Sequence, residues 1–108
     1  MAQNFRRYTF NNIGTSAETL FTADSYDTVV GISVANVTGS SVIASVYIND
    51  GTNDIYLVKD APIPAGSALQ VLDGGAKFVV QSGDRIYVQS DTASSLDVWV
   101  SAVDAIST

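Results

Sequence analysis

Turn-forming clusters punctuate this chain about every ten residues, and between them apolar residues alternate with small or polar ones. The clusters are Asp24 and Ser25; Thr38, Gly39 and Ser40; Asp50 and Gly51; Ala65, Gly66 and Ser67; Asp73, Gly74 and Gly75; and Ser82, Gly83 and Asp84. A period of two over runs this short fits strands and leaves no room for an amphipathic helix. Glu18 is the only Glu among eleven acidic residues and Lys59 and Lys77 are the only lysines, so two residues that fill exposed helix surfaces are nearly missing. Few helices are expected.

Phe5 to Ile13 alternates weakly, with Phe5, Arg7, Thr9 and Asn11 opposite Arg6, Tyr8, Phe10 and Asn12, and reads as an edge strand or a docking arm within residues 1–13. Ala17 to Ala23 is a short strand centred on Leu20 and Phe21. Asp27 to Val37 is a long one, with Val30, Ile32 and Val34 on one face and Val29, Gly31, Ser33 and Ala35 on the other. Ser41 to Asn49 alternates most clearly: Val42, Ala44, Val46 and Ile48 against Ile43, Ser45 and Tyr47. Asp50 and Gly51 predict a two-residue hairpin turn of the primed type, with Asn53 to Lys59 as partner strand. Pro62 and Pro64 are expected to end that strand, because proline cannot donate to a ladder. Ala68 to Leu72, Lys77 to Gln81 and Arg85 to Ser90 follow, then a polar loop from Asp91 to Ser95. The last strand, Leu96 to Val103, sets Leu96, Val98, Val100 and Ala102 against Trp99 and Val103, and so belongs in the middle of a sheet or against another subunit.

The expected fold is all-β: one antiparallel β-sandwich or jelly-roll-like domain of about eight or nine short strands spanning residues 1–108, with a small closed barrel as the alternative. At 108 residues roughly two thirds of the unfolded surface can be buried. That suffices for one modest core.

The inventory removes most chemistry. Without Cys or His there are no thiol nucleophiles, disulfides, imidazole bases or ordinary zinc, copper and heme sites, and no cofactor or metal is expected. Serine has no imidazole to activate it, and no Gly pattern is followed by the Lys and helix that hold phosphate. A net charge of −6 repels a nucleic-acid backbone, and no apolar stretch is long enough to span a membrane. The start, Met1 to Tyr8, carries Arg6 and Arg7 with no apolar core after them, so no signal peptide is expected.

Paired carboxylates are the one common catalytic device left. Asp50, Asp73, Asp84 and Asp91 sit in predicted turns, where Asp caps its own backbone, and Asp24, Asp27, Asp60 and Asp104 lie at segment ends and read the same way. Asp97, beside Trp99, reads as an exposed or interface residue. The acidic run from Asn49 to Asp54 resembles a calcium loop only superficially: counted from Asp50, the sixth position is Ile55 rather than Gly and the twelfth Ala61 rather than Glu. Asn36, Val37 and Thr38 form a glycosylation triplet of a kind that also arises by chance. An enzyme is not expected.

Arg6 and Arg7 are the one concentration of positive charge. With Phe5, Tyr8, Phe10 and Trp99 they have the composition of a partner-binding surface, in which Arg pairs with carboxylates and aromatic rings fill pockets. Tyr47, Tyr56 and Tyr87 divide between core and contact surface.

One stretch carries a resemblance. Val58 to Ser67 with Pro62 and Pro64, then Leu69, Leu72 with Asp73, Gly74 and Gly75, then Val80 before Ser82 to Ile86, and finally Asp97, Val98, Ser101 and Ile106, resemble small virion structural proteins of tailed bacteriophages, especially those of marine cyanobacterial phages. Met1 to Thr9 resembles the starts of those proteins. The resemblance implies a β-rich, non-enzymatic building block of the virion, assembled in the host cytoplasm. Within it the expected role is a capsid decoration (cement) protein on the outer surface of the head, homo-oligomeric, with the major capsid protein as partner and no nucleic acid or membrane. A tail, neck or fibre-attachment component is the alternative, and a carbohydrate-binding module is the reading from a different class.

Overall fold

The computed structural model describes residues 4–22, 27–72, 78–81 and 83–104. The apolar runs become nine strands: β1 (Asn4–Ile13), β2 (Glu18–Thr22), β3 (Asp27–Asn36), β4 (Val42–Asn49), β5 (Asp54–Ile63), β6 (Ala68–Leu72), β7 (Phe78–Val80), β8 (Arg85–Ser90) and β9 (Leu96–Asp104). The described residues contain no helix. The predicted turn at Asp73 to Gly75 and the one at Asp24 and Ser25 lie outside the described residues.

The strands form two antiparallel sheets, ordered β1-β9-β3-β6 with β7 also on β3, and β2-β8-β4-β5. Pairs β1 with β9, β2 with β8, β3 with β6 and β7, and β4 with β5 are the rungs of one long folded ribbon. The contacts of β9 with β3 and of β8 with β4 close that ribbon on itself, which is the jelly-roll arrangement of a sandwich. Segments β6 and β7 act as one interrupted strand along the far edge of β3.

Between the sheets lies a core rich in valine: Val29, Ile32, Val34, Val98 and Val100 from the first sheet meet Leu20, Val42, Val46, Ile86 and Val88 from the second. Inner faces packed in this way sit about 10 Å apart, a gap that branched aliphatic side chains fill. Among the described residues no aromatic ring is fully buried; Tyr8 and Phe10 pack against the core from β1.

Four expectations need correction. Val29, not Val30, joins Ile32 and Val34 in the core, because β3 carries an extra residue between its pairings Val29 with Ala102 and Gly31 with Ser101. A bulge of this kind reverses the side-chain parity beyond it. The same device brings Ile13 inward, where Asn11 and Asn12 face the single Asp97 and Asn12 adopts φ +57°. Second, β5 continues through Pro62, which pairs with Ile43; β5 is the edge of its sheet, and an edge strand has an N–H to spare. Third, the β4–β5 connection holds four residues rather than two, since Asn49 pairs with Asp54. Asp50 Oδ1 accepts from the backbone N–H groups of Thr52 and Asn53 at 3.0 and 2.8 Å, and Gly51 takes φ +96°. Asp60 lies inside β5, in a bulge at φ +54°, rather than at a segment end.

Four connections cross between the sheets at one end: residues 14–17, 37–41, 64–67 and 91–95. The buried polar residues Asn36, Ser90 and Ser95 join them. The Asn36 amide donates to the carbonyls of Ser40 and Ile63 at 2.8 and 2.9 Å, and its Oδ1 accepts from the Thr38 N–H and hydroxyl. Ser90 and Ser95 share a 2.6 Å hydroxyl bond, and Ser95 donates its N–H to Ile13 while its carbonyl accepts from Val37 N–H. The glycosylation triplet therefore has its Asn turned inward and fully engaged.

Asn36→Ala leaves the Ile63 and Ser40 carbonyls without this donor and should lower stability by about 1–3 kcal/mol. Urea denaturation followed by circular dichroism measures the loss, and a midpoint equal to that of the parent chain would show that the node contributes nothing.

Candidate functional site

With the core closed, the chemistry of the molecule lies on its two outer faces. On the second sheet, register aligns three tyrosines across neighbouring strands, Tyr56 on β5, Tyr47 on β4 and Tyr87 on β8. The Tyr47 ring lies 4.9 Å from Tyr56 and 5.2 Å from Tyr87 between centroids. Lys59 Nζ stands 5.0 Å over the Tyr56 ring. Partial burial, and then the Asp54 charge, raise the Tyr47 hydroxyl above its ordinary range. Ile43 and Tyr56, 40 and 43% exposed, share this outer face and make it a mixed aliphatic and aromatic patch.

The first sheet is different. Trp99 on β9 is 52% exposed and stands among short neighbours, Gly31, Ser33 and Ala35 on β3 and Ser101 on its own strand. Its indole N–H donates to Ser101 Oγ at 3.3 Å, and the Arg7 guanidinium lies 5.7 Å from the ring centroid, within cation–π range. Beside the ring opens a groove of about 590 Å³, walled by Thr9, Asn11, Ser33, Ala35, Asp97 and Trp99. A second groove of about 280 Å³ runs on through Ser33, Trp99, Gln70 and Ser101.

The six residues expected to bind a partner are divided by this geometry. Arg7 and Trp99 meet on the outer face. Tyr8 and Phe10 turn toward the core, opposite Val100 and Val98. Arg6 is exposed and, paired with Ala102, shares their side of β1, so neighbouring arginines project to opposite faces. The backbone of Phe5 pairs with Val103, and its side chain lies outside the described residues. Cross-strand register, which no single segment of the sequence carries, builds both the tyrosine ladder and the grooves beside Trp99.

Three of the acidic residues serve the backbone. Asp50 caps its loop, and Asp84 Oδ2 accepts from Gln81 N–H at 2.8 Å. Asp91 reaches across to β4 and accepts from Ile43 N–H at 3.0 Å, tying the β8–β9 loop to a neighbouring strand rather than capping its own turn. Among the described residues no three Asp or Glu side chains gather as a metal site.

No family model matches this chain, and no curated protein matches it. Solved structures do. A chain from Bacillus endospore appendages, which form disulfide-linked pili, is 14% identical with a TM-score of 0.57, covering 98% of this chain and 88% of that one. A pentameric capsid protein from metagenomic phage sequences is 18% identical with a TM-score of 0.50, covering 95% of this chain and 62% of that one. A chain of the T13 infectious bursal disease virus particle is 12% identical with a TM-score of 0.51, covering 98% and 36%. The likeness is one of fold, and this chain spans under two thirds of the length of both viral proteins.

Two measurements follow. Asp50 and Asp91 are held below the ordinary carboxylate value by backbone N–H donors, from Asn53 and Ile43 first of all. A folded value below the unfolded one means that the stability they add is present above about pH 3.9 and is lost as pH falls toward the folded value. Asp50→Asn with Asp91→Asn should flatten the acid limb of a plot of melting temperature against pH. Arg7→Ala should shift the emission of Trp99, the one tryptophan, while changing stability by less than about 1 kcal/mol.

Proposed function

We propose that this protein is a structural, non-enzymatic subunit of a virus particle. The observation that carries the reading is the jelly-roll order of its two sheets, together with a likeness of fold to a pentameric phage capsid protein that covers 95% of this chain. The sequence resemblance to virion proteins of tailed phages supports it independently. Within that role we assign it to decoration of the capsid: a small acidic sandwich that docks on the outer surface of the head, on the major capsid protein, as a homo-oligomer about a local symmetry axis.

The docking surface we assign is the outer face of the second sheet. Ile43, Tyr56 and its neighbour Tyr47 give it the aromatic and aliphatic composition of an interface centre, with Lys59 at its rim. This replaces the single patch of Arg6, Arg7 and aromatic side chains, whose members lie on different faces. The net charge of −6 suits a subunit that stays soluble and away from the genome.

A second reading, a tail, neck or fibre-attachment component, draws on the likeness to pilus-forming appendages. Disulfide linkage, as in those pili, is unavailable to a chain without cysteine. Cryo-electron microscopy of particles decides between the two. Density for this chain on the outside of the head is the expected result; density on the tail alone overturns decoration. Ile43→Ala combined with Tyr56→Ala should lower particle occupancy at least about tenfold, as loss of a central anchor does, with the circular dichroism spectrum unchanged. Full occupancy would exclude this face.

A further inference from the structure

We propose that the outer face of the first sheet is a binding site for a neutral oligosaccharide, laid across Trp99. This inference is independent of the assembly role and uses the opposite face.

Four observations define the ligand. Trp99 presents an aromatic surface whose position is fixed beforehand, by the bond from its N–H to Ser101 Oγ and by the Arg7 guanidinium over the ring. A platform ordered in the free protein loses little entropy when a ligand settles on it. Around the ring, hydroxyls of Thr9 and Ser33 both donate and accept, the Asn11 amide does both through separate atoms, and the Asp97 carboxylate accepts only. That mixture matches a molecule that alternates C–H faces with hydroxyl groups. It does not match a purely apolar ligand.

Charge narrows the class. Asp97 is the one charged side chain in the larger groove, and the register sets Arg7 level with Ser101, on the strand position away from Asp97. A phosphate, sulfate or uronate in the larger groove would meet the Asp97 carboxylate, and a cation on the ring would meet the Arg7 guanidinium already there, so the ligand is uncharged. Shape sets its size. The larger groove, about 590 Å³, falls in the range of small-molecule sites, about 300–1,000 Å³. Ser33 and Trp99 line the smaller groove as well, so the two grooves adjoin along these residues, across β1, β9, β3 and β6. Adjoining open grooves with the aromatic ring lining both suit several linked sugar units rather than one. The grooves exist because Gly31, Ser33 and Ala35 leave unfilled the space beside Trp99.

Trp99 is the one tryptophan, so intrinsic emission reports on the site directly. The full chain is titrated with linear hexasaccharides of glucose, mannose, galactose and N-acetylglucosamine. The expected result is a saturable change in emission with at least one of them, with Kd of about 0.1–1 mM. Asp97→Ala, and separately Ser33→Phe, which fills the junction of the two grooves, should each weaken binding at least about tenfold while circular dichroism stays unchanged. No saturable response to any of the four at millimolar concentration overturns the proposal. So does a response that both variants leave intact, or tighter binding of a polygalacturonate than of every neutral chain. Self-association that Ser33→Phe abolishes, with no sugar response, would assign the face to a second copy of the chain instead.

Discussion

The hydrogen-bonded node of Asn36, Ser90 and Ser95 is the constraint on which the two-sheet arrangement rests. Each sheet is held internally by its ladders, but between sheets the contacts are those of a valine-rich core, and hydrophobic contact is not directional. A core of that kind favours closeness without choosing how one sheet lies over the other. The node chooses, because Asn36 on β3 bonds to the end of β5 and Ser90 at the end of β8 bonds to Ser95 ahead of β9. Buried polar groups are costly unless satisfied, so this geometry is selected against its near neighbours. Gly14 fits the same corner: a Cβ there would stand 3.4 Å from Ser94 N.

With the corner fixed, departures from regular pairing fall where the strands must bend or be protected. The bulge after Phe10 turns Ile13 into the core at the place where β1 hands over to β2. Along β5, two irregularities, Asp60 at φ +54° and Pro62 together blunt an edge that would otherwise invite another strand. On the opposite edge of that sheet, β2 is five residues long and irregular in the middle. The outer faces of the sheets, not these two edges, are therefore the surfaces on which contacts can be built.

Most of this architecture is legible in the sequence, since alternation and turn residues are local properties of a chain. The strands from Val42 to Asn49 and from Leu96 onward present the faces their alternation predicts. What escapes local reading is whatever a partner strand decides. Val30 is apolar and in phase with Ile32, and only the spacing of β9 makes it the extra residue of a bulge. Pro62 reads as a terminator until β5 is known to be an edge. The node itself was visible as a glycosylation triplet and a polar loop, with nothing in either segment to show that they meet.

The same limit governs the candidate sites, and it explains why the two faces differ. Arg6 and Arg7 are adjacent in the chain and therefore opposed in space, whereas Arg7 and Trp99 are far apart in the chain and meet because β1 pairs with β9. On the second sheet, register stacks rings of similar size on three strands, and the middle of the face is filled. On the first, register sets one large ring among Gly31, Ser33, Ala35 and Ser101, and the face is left hollow. A filled apolar face gains by being covered against another flat surface, because water is removed from all of it at once. A hollow face of mixed polarity gains little from a flat partner and more from a ligand that enters the grooves and satisfies their hydroxyls and carboxylate. One rigid sandwich can therefore be seated by one side and remain available on the other.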